Sequence, residues 1–191
     1  MLLAETAVKT RDIMEDTLLI WQFKRGSSEA LRRIYEKYES DMLAVAINLA
    51  GDVHTGHDIV HDVIVLLAQS RHTLRLQGNL KSFLLTCVVN SVRDELRAKR
   101  RTYAVINEKV PDARADEPMK AVIATEDAQQ LAAAMAELPY EQREVVLLHL
   151  RGGMNFKAIA CVQDISINTV QSRYRYGLEK LRSLLGDEVE K

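Results

Sequence analysis

The sequence predicts an all-α protein of two small helical domains, a four-helix bundle and a helix-turn-helix, joined by a flexible linker. Glycine and proline are scarce, 8 and 3 in 191 residues, while Leu, Ala, Val and Glu are abundant, a composition that favours helices. Apolar residues recur at three- and four-residue spacing along most of the chain. No hairpin signal such as Asn-Gly between alternating runs is present. With 47% hydrophobic and 28% charged residues, a packed core is available and global disorder is excluded.

The first domain spans 14–101. Residues 16–24 (DTLLIWQFK) form a short amphipathic helix ended by Arg25-Gly26. Ser27 or Ser28 caps the next helix, with Glu29 in its first turn. Leu31, Ile34, Tyr35, Tyr38, Met42, Val45, Ala46 and Leu49 then keep helical spacing until Gly51-Asp52. A third helix fits 55–70, with Ile59, Val60, Val63, Ile64 and Leu67 on one face, and a polar loop fills 71–79. Asn79 caps a fourth helix, 80–101, which begins apolar (LKSFLLTCVV) and ends charged (RDELRAKRR). Four helices sharing one apolar face make a bundle.

Residues 102–126 form the linker. The stretch 102–127 holds two of the three prolines and an acidic excess without a clear period, with a helical fragment near 119–126. The second domain spans 127–187. It opens with a helix over 127–136, and Pro139 suits the first turn of the next, 139–150, which Gly152-Gly153 end. Asn155 caps a short helix over 155–162. Gln163-Asp164-Ile165 make a turn, and Ser166 caps a long cationic helix that follows. Two helices joined by a tight turn, the second long and cationic, make a helix-turn-helix.

Net charge is −1, which argues against a general DNA-coating protein. The distribution says more. Segment 93–101 has five basic and two acidic residues, 107–127 has six acidic and three basic, and 173–182 is basic again. Cys87 and Cys161 lie far apart and form neither a disulfide framework nor a zinc knuckle; they read as small apolar residues of a reducing cytoplasm. The N-terminus has no secretory pattern. No stretch approaches the ~18 apolar residues of a membrane span.

On the final helix, Ile167, Val170, Tyr174, Leu178, Leu181 and Leu185 form one apolar stripe expected to be buried. The opposite arc carries Asn168, Thr169, Gln171, Ser172, Arg173, Arg175 and Tyr176. Asn, Gln and Arg read base edges, and Thr and Ser hold phosphates. These residues fall in the first turns, where a recognition helix meets the major groove. A solvated face would carry similar residues; the preceding short helix, turn and cap favour the DNA-reading face.

The stretch 138–185, with its Leu-Pro, Gln-Arg-Glu-Val, glycine pair, Ala-Ile-Ala and Thr-Val-Gln-Ser-Arg, resembles region 4 of bacterial RNA polymerase sigma factors. Residues 30–101 resemble region 2. The segment HDIVHDVIVLLAQ (57–69) stands in the place of the core-binding helix, and FLLTCVVNSVRDELRAKRR (83–101) in that of the helix that recognises and melts the minus-ten element. Possession of only these two regions, joined by a short linker, resembles the extracytoplasmic-function class. Where the family usually has Trp, Gln, Gly and a basic residue, this chain has Phe83, His61, Asp164 and Gln171. Asp tolerates the left-handed conformation better than most residues, so the turn can survive.

The resemblance implies a binding subunit, not an enzyme, without a cofactor. Its partners would be core RNA polymerase and promoter DNA, and an anti-sigma factor is a further partner it allows. Asp58, His61 and Asp62 would meet the polymerase. Asn90, Arg93, Asp94, Arg97, Lys99, Arg100 and Arg101 would serve the minus-ten element. Asn168, Thr169, Gln171, Ser172, Arg173 and Arg175 would serve the minus-thirty-five element. Two other readings stand beside this one. His57 and His61, four apart with Asp58 and Asp62 beside them, have the spacing of a metal-dependent phosphohydrolase site, which needs further ligands from elsewhere. A helix-turn-helix regulator without sigma activity would explain the second domain alone.

Overall fold

The structure, a computed structural model, describes residues 2–76, 79–106 and 126–186. The described residues form helices and no strands: α1 (Leu2–Lys24), α2 (Ser28–Ala50), α3 (Val53–Gln69), α4 (Leu80–Ile106), α5 (Glu126–Ala136), α6 (Tyr140–Leu150), α7 (Phe156–Gln163) and α8 (Ile167–Gly186). Among them no helix is long and apolar enough to cross a membrane.

Most helix starts follow from a side-chain oxygen that takes an orphan backbone N–H. Ser27, not Ser28, caps α2 by accepting from the Ala30 amide at 3.2 Å. Asp52 does the same for α3 from Thr55 at 2.7 Å, and Asn79 accepts from Ser82 at 2.7 Å. Asn155 and Ser166 cap α7 and α8 through Ala158 and Thr169. Gly51 closes α2 in the left-handed region at φ 75°.

Two helices outrun the sequence expectation. α1 begins at Leu2 rather than 16, in a segment whose start no cap residue marks. α4 continues to Ile106, five residues past 101, because no Gly or Pro interrupts it. The expected flexible linker and the fragment near 119–126 lie almost wholly outside the described residues.

α1, α2, α3 and α4 pack as expected for a bundle. α1 contributes buried Leu19 and Phe23. It also places the Asp16 carboxylate, 8% exposed, in the seam with α2. There Tyr38 Oη donates to Asp16 at 2.7 Å and Lys37 Nζ at 2.9 Å. Burial, together with that carboxylate, pushes the Tyr38 hydroxyl well above the usual tyrosine range. α2 and α3 cross closely at Gly56, where a Cβ would stand 2.5 Å from Ile47 Cγ1.

The second half does not stand apart. One hydrophobic cluster runs from Leu19 through Leu84, Leu85 and Val92 into Val145, Leu148, Met154, Ile159 and Val170. Only a smaller cluster of Ala134, Met135, Leu138, Val146 and Leu181 belongs to the second half alone. α6 seats against α2 and α4. Arg143 donates to the Asn48 carbonyl at 2.9 Å, and Arg151 pairs with Asp41 at 2.9 Å. Gly152 is buried where a Cβ would meet Leu85 Cδ1 at 3.1 Å.

Candidate nucleic-acid interface

The helix-turn-helix is built by α7 and α8. The turn reverses the chain at Asp164, the one non-glycine residue with positive φ (54°) among the described residues. Asp adopts this conformation at lower cost than most side chains. α8 is then pinned from beneath. Its Tyr174 ring meets His149 edge-on at 4.7 Å and Phe156 at 5.3 Å, and His149 stacks on Phe156 at 4.7 Å. His149 Nδ1 lies 2.8 Å from the Met154 carbonyl. Val170 and Leu181 are buried, and Gly177 lets α8 approach Val146 and Gln142 of α6.

The stripe is correct along most of its length and wrong at its start. Ile167 is 42% exposed. It is the first residue of α8 and overhangs the core, and Ile165 in the turn packs there instead.

On the opposite arc, Asn168, Thr169, Gln171 and Arg175 are exposed and Ser172 and Arg173 are half-buried. The Thr169 hydroxyl is 2.8 Å from that of Ser166, so it is drawn into the cap. Arg175 lies over the Tyr176 ring at 5.0 Å. Arg173 leans back to donate to Gln163 Oε1 at 2.8 Å.

The α4 residues divide similarly. Asn90, Asp94, Arg97, Lys99, Arg100 and Arg101 are exposed. Arg97 pairs with Asp94 at 3.0 Å, and Lys99 reaches Thr55 Oγ1 at 3.4 Å. Arg93 instead turns inward. Its Nε donates to Glu144 at 3.1 Å and its Nη1 to the Val162 carbonyl at 3.0 Å. Glu144 is 1% exposed and accepts a further bond from Gln163 at 2.9 Å. Between α4 and the α6–α8 unit lies an open cleft of about 350 Å³, lined by Arg93, Arg97, Arg100, Tyr140, Gln163 and Arg173 among others. Burial, then the Glu144 charge, pushes the Tyr140 hydroxyl above the usual tyrosine range.

Asp58, His61 and Asp62 share an exposed stretch of α3 with Val65 and Leu66. His57, Asp58 and His61 line a groove of about 470 Å³ with Tyr35, Val60 and Ile64. Among the described residues no three His, Cys, Asp or Glu side chains come together as metal ligands. The further ligands that a metal site at His57 and His61 would need are not found there.

The pairing of Glu144 with Arg93 and Gln163 is not visible in the sequence. Glu144 falls four residues after Tyr140 and four before Leu148, on the inward face of α6. A carboxylate at that phase signals a buried polar partner. What that partner is cannot be read from α6 alone.

Comparison with known proteins matches residues 34–102 to the model "Sigma-70 region 2" and residues 128–181 to "Sigma-70, region 4". The ECF RNA polymerase sigma factor EcfG of Rhodopseudomonas palustris is 25% identical over 74% of this chain and 77% of its own length. For the RNA polymerase sigma factor CarQ of Myxococcus xanthus the figures are 24%, 87% and 95%. For the ECF RNA polymerase sigma factor SigW of Bacillus subtilis they are 22%, 88% and 95%. Among solved structures, the sigma factor RpoE in complex with the anti-sigma factor NepR from Bartonella quintana is similar in fold. It has a TM-score of 0.67 at 22% identity over 81% of this chain and 96% of that one. CnrH in complex with the cytosolic domain of CnrY gives 0.63 at 20% identity, over 91% and 98%.

Proposed function

The chain belongs to the sigma-70 family of bacterial RNA polymerase sigma factors, in its extracytoplasmic-function branch, and from that premise we propose that it binds core RNA polymerase and directs promoter-specific transcription initiation. Regions 2 and 4 matched in that order on one chain carry this conclusion. A helix-turn-helix regulator would have no use for the first. The chain acts as a binding subunit, and RNA synthesis belongs to the polymerase.

Each half then has one DNA element. The arc of Asn168, Thr169, Gln171, Ser172, Arg173 and Arg175 enters the major groove of a minus-thirty-five element. Asn168 and Gln171 read base edges while the hydroxyls and arginines hold phosphates. On α4, Arg93, Arg97, Lys99, Arg100 and Arg101 hold phosphates beside the minus-ten element, a salt-dependent contribution. Asp94 sits among them and orients Arg97. Asn90, with the loop 71–79, meets an unstacked base. Capture of that base offsets the few kcal/mol its unstacking costs. Asp58, His61 and Asp62 offer a polar, partly acidic surface to a basic element of the polymerase, with Val65 and Leu66 as its apolar complement. A complex with an anti-sigma factor, like the one solved for the Bartonella relative, belongs to the same reading.

Run-off transcription with core polymerase on genomic fragments tests this. Added protein should produce core-dependent transcripts from a subset of fragments, and alanine at Asn90 or Arg97 should impair promoter opening. Absence of core-dependent initiation on every fragment would refute the assignment.

A further inference from the structure

Arg173 and Arg175 stand two residues apart on α8 and are held in different ways. The Arg175 side chain is 63% exposed, and the Glu179 carboxylate it faces is 4.0 Å away. Arg173 is half-buried, and its Nη1 donates to Gln163 Oε1 at 2.8 Å. Gln163 Nε2 donates in turn to Glu144 Oε1 at 2.9 Å. The three side chains come from α8, α7 and α6 in that order, so the relay lies wholly inside the second half of the chain.

The chemistry of the groups gives the relay one direction. An ionised carboxylate only accepts, so the Gln163 amide turns its NH2 to Glu144. Its oxygen then faces Arg173, whose guanidinium only donates. The far end of the relay is anchored, because Glu144 is 1% exposed. Gln163 is the last residue of α7, and the turn after it is locked by the Asp164 and Ile165 amides, which both donate to the Ala160 carbonyl. Arg173 uses one N–H of its guanidinium on this bond and keeps the others. A long side chain gives up rotamer freedom when it closes on a phosphate or a base edge. Here Gln163 imposes that ordering before DNA arrives.

We propose that Gln163 is a positioning residue for minus-thirty-five binding. It touches no DNA itself. It holds the Arg173 guanidinium in one orientation, with Glu144 fixing which way its own amide points. Arg173 is then the preorganised contact of the arc, and Arg175 is a mobile charge. The inference rests on the reading of α8 as the DNA-binding helix.

Two measurements test it. The first uses no DNA. In the free full-length chain, the nitrogen–proton heteronuclear NOE of the Arg173 Nε–H should approach that of the helical backbone, and Gln163→Leu should lower it sharply. A low value in wild type, or one that Gln163→Leu leaves unchanged, overturns the proposal. The second compares holoenzymes carrying wild type, Gln163→Leu, Arg173→Ala and the double variant on one promoter fragment over a range of salt. Arg173→Ala should weaken binding about tenfold and reduce the salt slope by about 1. Gln163→Leu keeps the charge. It should weaken binding about threefold, the ordering cost of one long side chain, and leave the slope unchanged. The double variant should bind as Arg173→Ala does, because Gln163 acts only through Arg173. Multiplied losses in the double variant, full affinity in Gln163→Leu, or no loss in Arg173→Ala overturns the proposal. Should Gln163→Leu lose its helical circular dichroism, Gln163→Asn, a methylene too short to reach both partners, is held to the same outcomes. If no holoenzyme binds any promoter, the sigma reading fails, and the NOE still decides whether Gln163 holds Arg173.

Discussion

Glu144→Gln is the sharpest probe of how the two halves hold together. The Glu144 side chain is 1% exposed and that of Arg93 is 23% exposed. Removal of one partner from a fully buried ion pair costs about 3–5 kcal/mol, since the other charge stays buried and unpaired. Gln keeps the volume and two polar sites, and water reaches part of Arg93, so the expected cost is about 2–3 kcal/mol. For a chain of 191 residues that lowers Tm by about 4–12 °C. Arg93→Gln is the harsher change. It strands a carboxylate with no water access, at a cost of about 3–5 kcal/mol. With both replaced, no charge is stranded, so the double variant should be more stable than the sum of the singles predicts, by about 1–3 kcal/mol. Urea denaturation of the four proteins, with midpoints compared at constant slope, completes the cycle. A coupling below about 0.5 kcal/mol would refute the claim that these side chains form a buried pair.

Two further outcomes follow from other residues. Arg175→Ala should weaken minus-thirty-five binding alike across sequences and reduce the salt slope by about 1, while replacement of Gln171 should shift base preference by about 1–3 kcal/mol. Anisotropy titrations over salt and site variants would distinguish them, and the reverse pattern would mean that α8 presents a different face. Asp52→Ala should cost about 1 kcal/mol through loss of the α3 cap. The Thr55 side chain, and then its amide, hold the Asp52 carboxyl below its ordinary value of 3.8. A lowered folded-state value contributes stability above the unfolded pKa, and that contribution disappears as pH falls through the folded one. The variant should therefore lose less stability than wild type between about pH 7 and about pH 3 in urea midpoints. Equal loss would remove Asp52 from the acid response.

What could be read in the sequence was local. Ser27, Asn79, Asn155 and Ser166 cap because a short polar side chain can reach an amide three residues ahead. Asp164 turns left-handed because few other non-glycine residues tolerate it. The helix periods located Val170 and Leu181 in the core. Ile167 had the right phase, but periodicity does not show where the supporting core ends. The sequence neighbours of Arg93 are cations, and they say nothing of what its own side chain pairs with. Its partner Glu144 lies 51 residues away, and no local pattern encodes a pairing at that distance. The same is true of Arg143 with Asn48 and Arg151 with Asp41. The exposed faces of α4 and α8 were legible one helix at a time; the packing of one half on the other was not.

The unbroken cluster from Leu85 to Met154 ties the protein's lifetime to its partners. Separation of the halves in a free chain uncovers those apolar side chains, and such surface invites aggregation and proteolysis. Molecules released from polymerase would either reclose or be cleared. The number of sigma molecules a cell holds in reserve would then be set partly by how quickly α6 finds α2 and α4 again.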